Sequence, residues 1–147
     1  MNFKWINRWL DEAKHKSLWS KDPSKKIGAV AVGKHNQILS IGYNGFPRGI
    51  ADTDDRYNNR ETKYKYVVHS EQNLIYNACL TGVSLEGSSV FVYGLPICGE
   101  CMKGLIQVGV KEIYSIGEVD DRWEESTEFA KSLAKEACIK YIHYGEI

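Results

Sequence analysis

Neither sign of charge is in excess in this chain: 19 Lys and Arg stand against 19 Asp and Glu over 147 residues. Proteins that read extended nucleic acid usually carry a basic surplus to neutralise phosphates, so a polynucleotide partner is disfavoured. A long apolar run is also missing. The opening Met1-Asn2-Phe3-Lys4-Trp5 is amphipathic and lacks the apolar stretch of a signal peptide or a membrane span. Cysteine is scarce. Four of them, two in one C-x-x-C, do not read as a disulfide framework. No repeat, linker or low-complexity tract is visible. The expectation is a cytoplasmic protein with no membrane contact. Its 147 residues, 43% of them hydrophobic, suit a single domain, 1–147, with a real core.

Against these absences stand two short motifs. His69-Ser70-Glu71 is followed far downstream by Pro96-Ile97-Cys98-Gly99-Glu100-Cys101. Together they offer one imidazole, two thiols and one carboxylate. Three protein ligands leave a tetrahedral zinc one open corner for water. Bound zinc lowers the pKa of that water to about 7. Glu71, two residues after His69, is then placed to move protons. H-x-E followed by P-C-x-x-C is the signature of zinc nucleobase deaminases. C-x-x-C alone is weak, because zinc knuckles and redox dithiols share it. A structural zinc site would need a fourth ligand, and Cys79, Cys138, His15, His35 and His143 all lack knuckle spacing from Cys98 or Cys101. A thioredoxin-like dithiol leaves His69 and Glu71 without a role.

Periodicity supplies the frame. Phe3, Ile6, Leu10 and Ala13 recur at helical spacing, which predicts a helix ending near Trp19, broken by Asp22-Pro23-Ser24. Ile27–Val32 and Ile38–Tyr43 read as a hairpin joined at His35-Asn36. From Asn44 to Val67 the pattern dissolves into a long connection of the kind used for lids and binding loops. A helix follows His69 and stops at Gly82; strands are predicted at Ser89–Leu95, Val110–Ile116 and Ile139–Tyr144. Helices are predicted at Cys101–Val108 and after Asp121, whose partner Glu124 fits a capping box. The sum is an α/β fold: a five-stranded mixed sheet flanked by helices on both faces, three layers in all. Both motifs then fall at helix N-termini, whose partial positive charge favours thiolate, the form zinc binds.

The chain resembles the deoxycytidylate (dCMP) deaminases of the cytidine deaminase-like superfamily over nearly its whole length. The resemblance runs through Trp19–Ser24, Lys26–Val30, Gly42-Tyr43-Asn44-Gly45-Phe46-Pro47-Arg48-Gly49, Lys63–Asn73, Cys98–Cys101 and Leu105–Ile113. The Gly-Tyr-Asn-Gly-x-Pro segment discriminates it from general cytidine or tRNA-adenosine deaminases. Ser70 stands where alanine is more usual, and Ile97 separates Pro96 from Cys98 where many relatives join them directly.

This resemblance implies hydrolytic conversion of dCMP to dUMP with release of ammonia, feeding dTMP synthesis. Zn2+ would be held by His69, Cys98 and Cys101, with Glu71 carrying protons. It implies a sugar contact from Asn44, phosphate contacts from Lys25 and Lys26, and substrate-side roles for Ser70, Asn73 and Tyr66, with Trp19 stacking nearby. It further implies a homo-oligomer, a hexamer in many relatives, activated by dCTP with Mg2+ and inhibited by dTTP. Tyr43, Gly45, Asp52 and Arg56, with Asp54, Asp55 and Arg60, would serve that effector site. The competing readings are a deaminase of dCTP, of a modified cytosine nucleotide or of free (deoxy)cytidine, and, outside enzymes, a catalytically silent zinc-binding assembly module. Glu71 argues against the last, since a silent relative has no need of it.

Overall fold

In the computed structural model, which describes residues 1–145, five strands form one sheet in the order β2-β1-β3-β4-β5. The strands are β1 Gly28–Val32, β2 Ile38–Tyr43, β3 Ser89–Tyr93, β4 Glu112–Ile116 and β5 Lys140–Tyr144. β1 lies antiparallel to both β2 and β3, whereas β3, β4 and β5 run parallel, joined through helices as parallel neighbours require. The helices are α1 Phe3–Ser17, α2 Asp54–Asn58, α3 Arg60–Tyr66, α4 Ser70–Thr81, α5 Gly99–Gln107 and α6 Glu124–Glu136.

Alternation along the strands divides the interior into two cores. Val30, Val32, Phe91, Tyr114 and Ile116 face Ile6, Leu10 and Ala13 of α1. Ala29, Ala31, Val90, Val92 and Ile113 face Leu74 and Ala78 of α4, Met102 and Leu105 of α5, and Ala130 and Ala134 of α6. β1 is buried on both faces, as expected of a strand sandwiched between helical layers. Two glycines set the spacing. A Cβ on Gly28 would lie 2.1 Å from the Ala13 carbonyl oxygen, and one on Gly42 would lie 2.3 Å from that of Ser70. The sheet can therefore approach α1 and the start of α4 only because those side chains are absent.

Beside shifts of one or two residues at the ends of β1, β3, β4, β5 and α5, four features differ from the sequence expectations. The Asn44–Val67 connection contains α2 and α3. Thr53 and Asn59 cap them by accepting from the Arg56 and Thr62 amides, and helices of five and seven residues are too short to show periodicity. The first helix stops at Ser17, and Trp19 lies exposed against Tyr43. The hairpin loop spans Gly33–Gln37, with Asn36 in the left-handed region at φ 59° and a register shift at Ala31/Val32. The last helix is not capped by Asp121. Asp120 accepts from the Arg122 amide and starts a 3-10 turn, Asp121–Trp123, ahead of α6.

Candidate active site

Two helix starts meet at the carboxyl end of the parallel strands. His69 is the residue before α4, and its amide donates to Oε1 of Gln72 at 3.0 Å. An isolated antiparallel bridge between Gly45 and Val68 holds the approach to it. α4 is itself pinned to β2: Ser40 Oγ donates to the Leu74 carbonyl (2.7 Å), and Asn73 and Asn77 donate to the Tyr43 and Ile41 carbonyls (both 2.8 Å). Cys98 caps α5, its Sγ accepting from the Cys101 amide at 3.5 Å.

This brings Nδ1 of His69 to 3.6 Å from Cys98 Sγ and 3.4 Å from Cys101 Sγ. Zinc bonds of about 2.3 Å to sulfur and 2.0–2.1 Å to nitrogen, at tetrahedral angles, put nitrogen and sulfur about 3.5–3.6 Å apart. The three donor atoms all lie within 4.8 Å of one another, so the trio fits a zinc ion by both chemistry and spacing. No further Cys, His or carboxylate joins the group among the described residues. A fourth position is therefore left to solvent or substrate.

The electrostatics follow from burial. The hydrogen bond from the Cys101 thiol, helped by His69, holds Cys98 down to about 4 against the desolvation that opposes it. Cys101 is pushed well up by the same contact and by its own burial. A cation bound between the two sulfurs would favour the thiolate form of both. His69 is raised by its hydrogen bond to Cys98. Glu71 is only 5% exposed, and burial raises its carboxyl above the usual range despite His69 nearby and the hydrogen bond that Ser70 donates to Oε1.

His69, Glu71 and Cys98 line a cavity of about 240 Å³. Asn44 and Lys25 also line it. Asn44 is a hub: Oδ1 accepts from the Ile27 amide (2.9 Å), while Nδ2 donates to the Lys25 carbonyl (2.9 Å) and reaches Asp22 Oδ2 (3.5 Å). What its side chain can still offer a ligand is the second lone pair on Oδ1. Lys26, Ser70, Asn73 and Tyr66 are not on the cavity wall. Lys26 donates to the Ser20 carbonyl; Tyr66 stacks on Phe46 (5.3 Å) beneath the Arg56 guanidinium (4.5 Å). In the connecting segment, Asp52 pairs with Lys21 at 3.0 Å and Arg56 donates to the Ala51 carbonyl at 2.9 Å.

Other wall residues were not among the sequence-predicted substrate contacts. Asp22 and Lys63 form a buried pair at 3.4 Å, and the same Asp22 oxygen accepts from the amides of Ser24 (2.8 Å) and Lys25 (3.3 Å). At the mouth stand Arg60, Tyr64, Asp120, Arg122 and Trp123. Arg122 forks onto Asp120 (2.6, 3.1 and 3.2 Å), and Arg60 adds its field to hold that carboxyl down to about 2. Lys63 sits within the Lys63–Asn73 segment, which did carry a signal. Asp120, Arg122 and Trp123 lie in a turn with no local motif.

A five-stranded mixed sheet with a His/Cys/Cys trio and a buried glutamate at two helix starts is the architecture of the zinc-dependent cytidine deaminase-like fold. Residues 3–116 match the family described as the cytidine and deoxycytidylate deaminase zinc-binding region. The chain is 36% identical over 140 residues to an uncharacterized deaminase in the luxG 3'region of Aliivibrio fischeri, covering 93% of this chain and 91% of that one. It is 39% identical over 127 residues to the deoxycytidylate deaminase of Mus musculus, covering 83% and 69%. The crystal structure of a dCMP deaminase from the cyanophage S-TIM5, in complex with dCMP and dUMP, superimposes with a TM-score of 0.78 over 97% of this chain and 98% of the other; at 24% identity this speaks for the fold. The chain belongs to the cytidine and deoxycytidylate deaminase family.

Proposed function

We propose that this protein is a single-domain, cytoplasmic hydrolase that converts dCMP and water to dUMP and ammonia. The observation that carries the reading is a buried Glu71, its carboxyl raised by that burial, on the wall of the cavity that His69 and Cys98 also line. His69, Cys98 and Cys101 would hold a zinc ion, which would supply Lewis acidity and an acidified water. Glu71 would take one proton from that water and deliver it to N3 of the cytosine as the water oxygen bonds to C4. It would then take the second proton from the same oxygen and pass it to the amino group as the C4–N bond breaks, so ammonia leaves neutral. A carboxyl whose pKa lies above the usual range suits a group that must both take and give a proton near neutral pH. Ser70 fixes one carboxylate oxygen for this shuttle.

The phosphate reading rests on the mouth. Lys25, Arg60 and Arg122 put three cationic groups there against one carboxylate, Asp120. A phosphate that takes over the guanidinium fork of Arg122 gains two charge-assisted hydrogen bonds. Ammonia release measured side by side from dCMP, deoxycytidine, dCTP and single-stranded DNA tests the assignment. The expected order has dCMP first; faster turnover of any of the other three overturns it.

Control by dCTP with Mg2+ as activator and by dTTP as inhibitor, in a hexamer, is proposed for the segment carrying Tyr43, Gly45, Asp52 and Arg56. Sigmoidal dCMP kinetics that become hyperbolic with dCTP and Mg2+, and a hexamer mass by sedimentation, support it. Indifference to both triphosphates removes it.

A further inference from the structure

Both amides that flank Cys98 are held by side chains from the last thirty residues of the chain. The Ile97 amide donates to the hydroxyl of Tyr141 on β5 at 2.9 Å. The Gly99 amide donates to Oγ of Ser126 on α6 at 2.9 Å. Tyr141 is itself anchored. Nε2 of His143 lies 2.8 Å from the Gly117 carbonyl, which can only accept, so Nε2 carries the proton and Nδ1 accepts. Ser115 Oγ, 2.7 Å from Nδ1, must then donate to it, and the Tyr141 hydroxyl, 3.2 Å from Ser115 Oγ, donates in turn. That leaves the Tyr141 oxygen to accept from Ile97. Every hydrogen in the series has one consistent direction.

The sequence explains why such a series is needed here. Ile97 is completely buried, and unlike a proline at that position it carries an amide hydrogen that would otherwise be buried without a partner. Tyr141 and Ser126 lie outside residues 3–116, the part matched by the family. We infer that Tyr141, backed by Ser115 and His143, and Ser126 are positioning residues that hold the Cys98 sulfur in ligating geometry. The inference rests on the zinc reading above. Partners of this kind behind metal ligands typically change metal affinity about 10- to 100-fold when removed.

The test is the zinc dissociation constant of the full chain, measured by competition with a chromophoric chelator. It is joined by the thiolate-to-metal charge-transfer bands of the Co2+-loaded protein. Tyr141→Phe keeps the ring and loses the hydroxyl, Ser126→Ala loses the other tie, and the two are combined. Tyr114→Phe is the control, since it also loses a hydroxyl hydrogen bond, to Glu112 at 3.1 Å, but on the opposite core. Each single variant is expected to weaken zinc about 10-fold. The double variant should weaken it further and shift the Co2+ bands, with the Tyr114→Phe protein unchanged in both. Unaltered zinc affinity in Tyr141→Phe and Ser126→Ala overturns the inference. So does an equal loss in Tyr114→Phe. Should Tyr141→Phe not fold, Ser126→Ala decides by the same criteria. A wild-type protein that binds no zinc sinks the functional reading instead, which keeps the two failures distinct.

Discussion

The floor and the mouth of the cavity are built on opposite plans. On the floor, His69, Glu71, Cys98 and Cys101 come from two helix starts, one tied to β2 through Ser40, Asn73 and Asn77 and the other to β5 and α6 through Tyr141 and Ser126. At the mouth, Arg60, Tyr64, Arg122 and Trp123 come from α3 and a single 3-10 turn, and Arg122 is half-exposed. Tyr64 meets Trp123 edge-on at 6.1 Å, and Asp120 occupies the arginine fork. The floor is pre-organised for chemistry, which rewards fixed geometry. The mouth carries exposed charge, which suits recognition of a group that must enter and leave.

Breaking the floor should have the largest effect. Cys98→Ser or His69→Ala is expected to take zinc from one equivalent to none by atomic emission and ammonia release to background. Glu71→Gln sharpens the contrast. It should keep its zinc and lose about 10²–10⁴ in kcat, because only the proton carrier is gone. A variant that retains more than a few percent of kcat refutes that role.

The mouth should respond in KM. Arg60→Ala and Arg122→Ala are each expected to raise KM for dCMP about 10- to 100-fold, the value of a charge-assisted hydrogen bond. The kcat/KM for deoxycytidine, which has no phosphate, should not move. Parallel losses on both substrates would mean that the arginines act through structure.

Between floor and mouth lies the buried Lys63–Asp22 pair. Lys63→Met leaves a buried carboxylate without its partner and should cost about 3–5 kcal/mol in urea unfolding. Asp22→Asn combined with Lys63→Met should recover most of that, since no charge is then stranded. No recovery would show that the lysine stem, and not its charge, is what matters.

The smallest effect is a pH dependence at His143, behind the floor. Burial lowers the pKa of His143 below its ordinary value of 6.5, although the Gly117 carbonyl opposes the shift. The unfolded chain therefore takes up a proton that the folded one resists. Stability should fall as pH drops from about 6.5 toward the folded value and level off below it. His143→Gln should remove that slope relative to wild type in urea midpoints taken from pH 7.5 to 5. An identical slope would mean that another group titrates there.

What could be read in advance follows the same division. The floor was legible because zinc chemistry needs H-x-E and C-x-x-C within single helix turns, a local spacing that survives in any tertiary context. The apolar run Ile27–Val32 likewise marked a strand, and the structure buries it on both faces. The mouth was legible only in Lys25: the resemblance assigns Arg60 to an effector site, and Arg122, 62 positions further along the chain, joins it only through folding. α2 and α3 escaped for the opposite reason: they are too short to be periodic, and only their caps, Thr53 and Asn59, mark them. Asn44 reads as a ligand contact beside a turn; it lines the cavity and also fastens the loop from Asp22 to Ile27 to the end of β2.

X-ray absorption at the zinc edge of the purified wild-type protein bears most directly on all of this. The account predicts two sulfur neighbours, one imidazole nitrogen and one light atom from solvent. A shell closed by a fourth protein side chain, or a protein isolated and reconstituted without zinc, would contradict it.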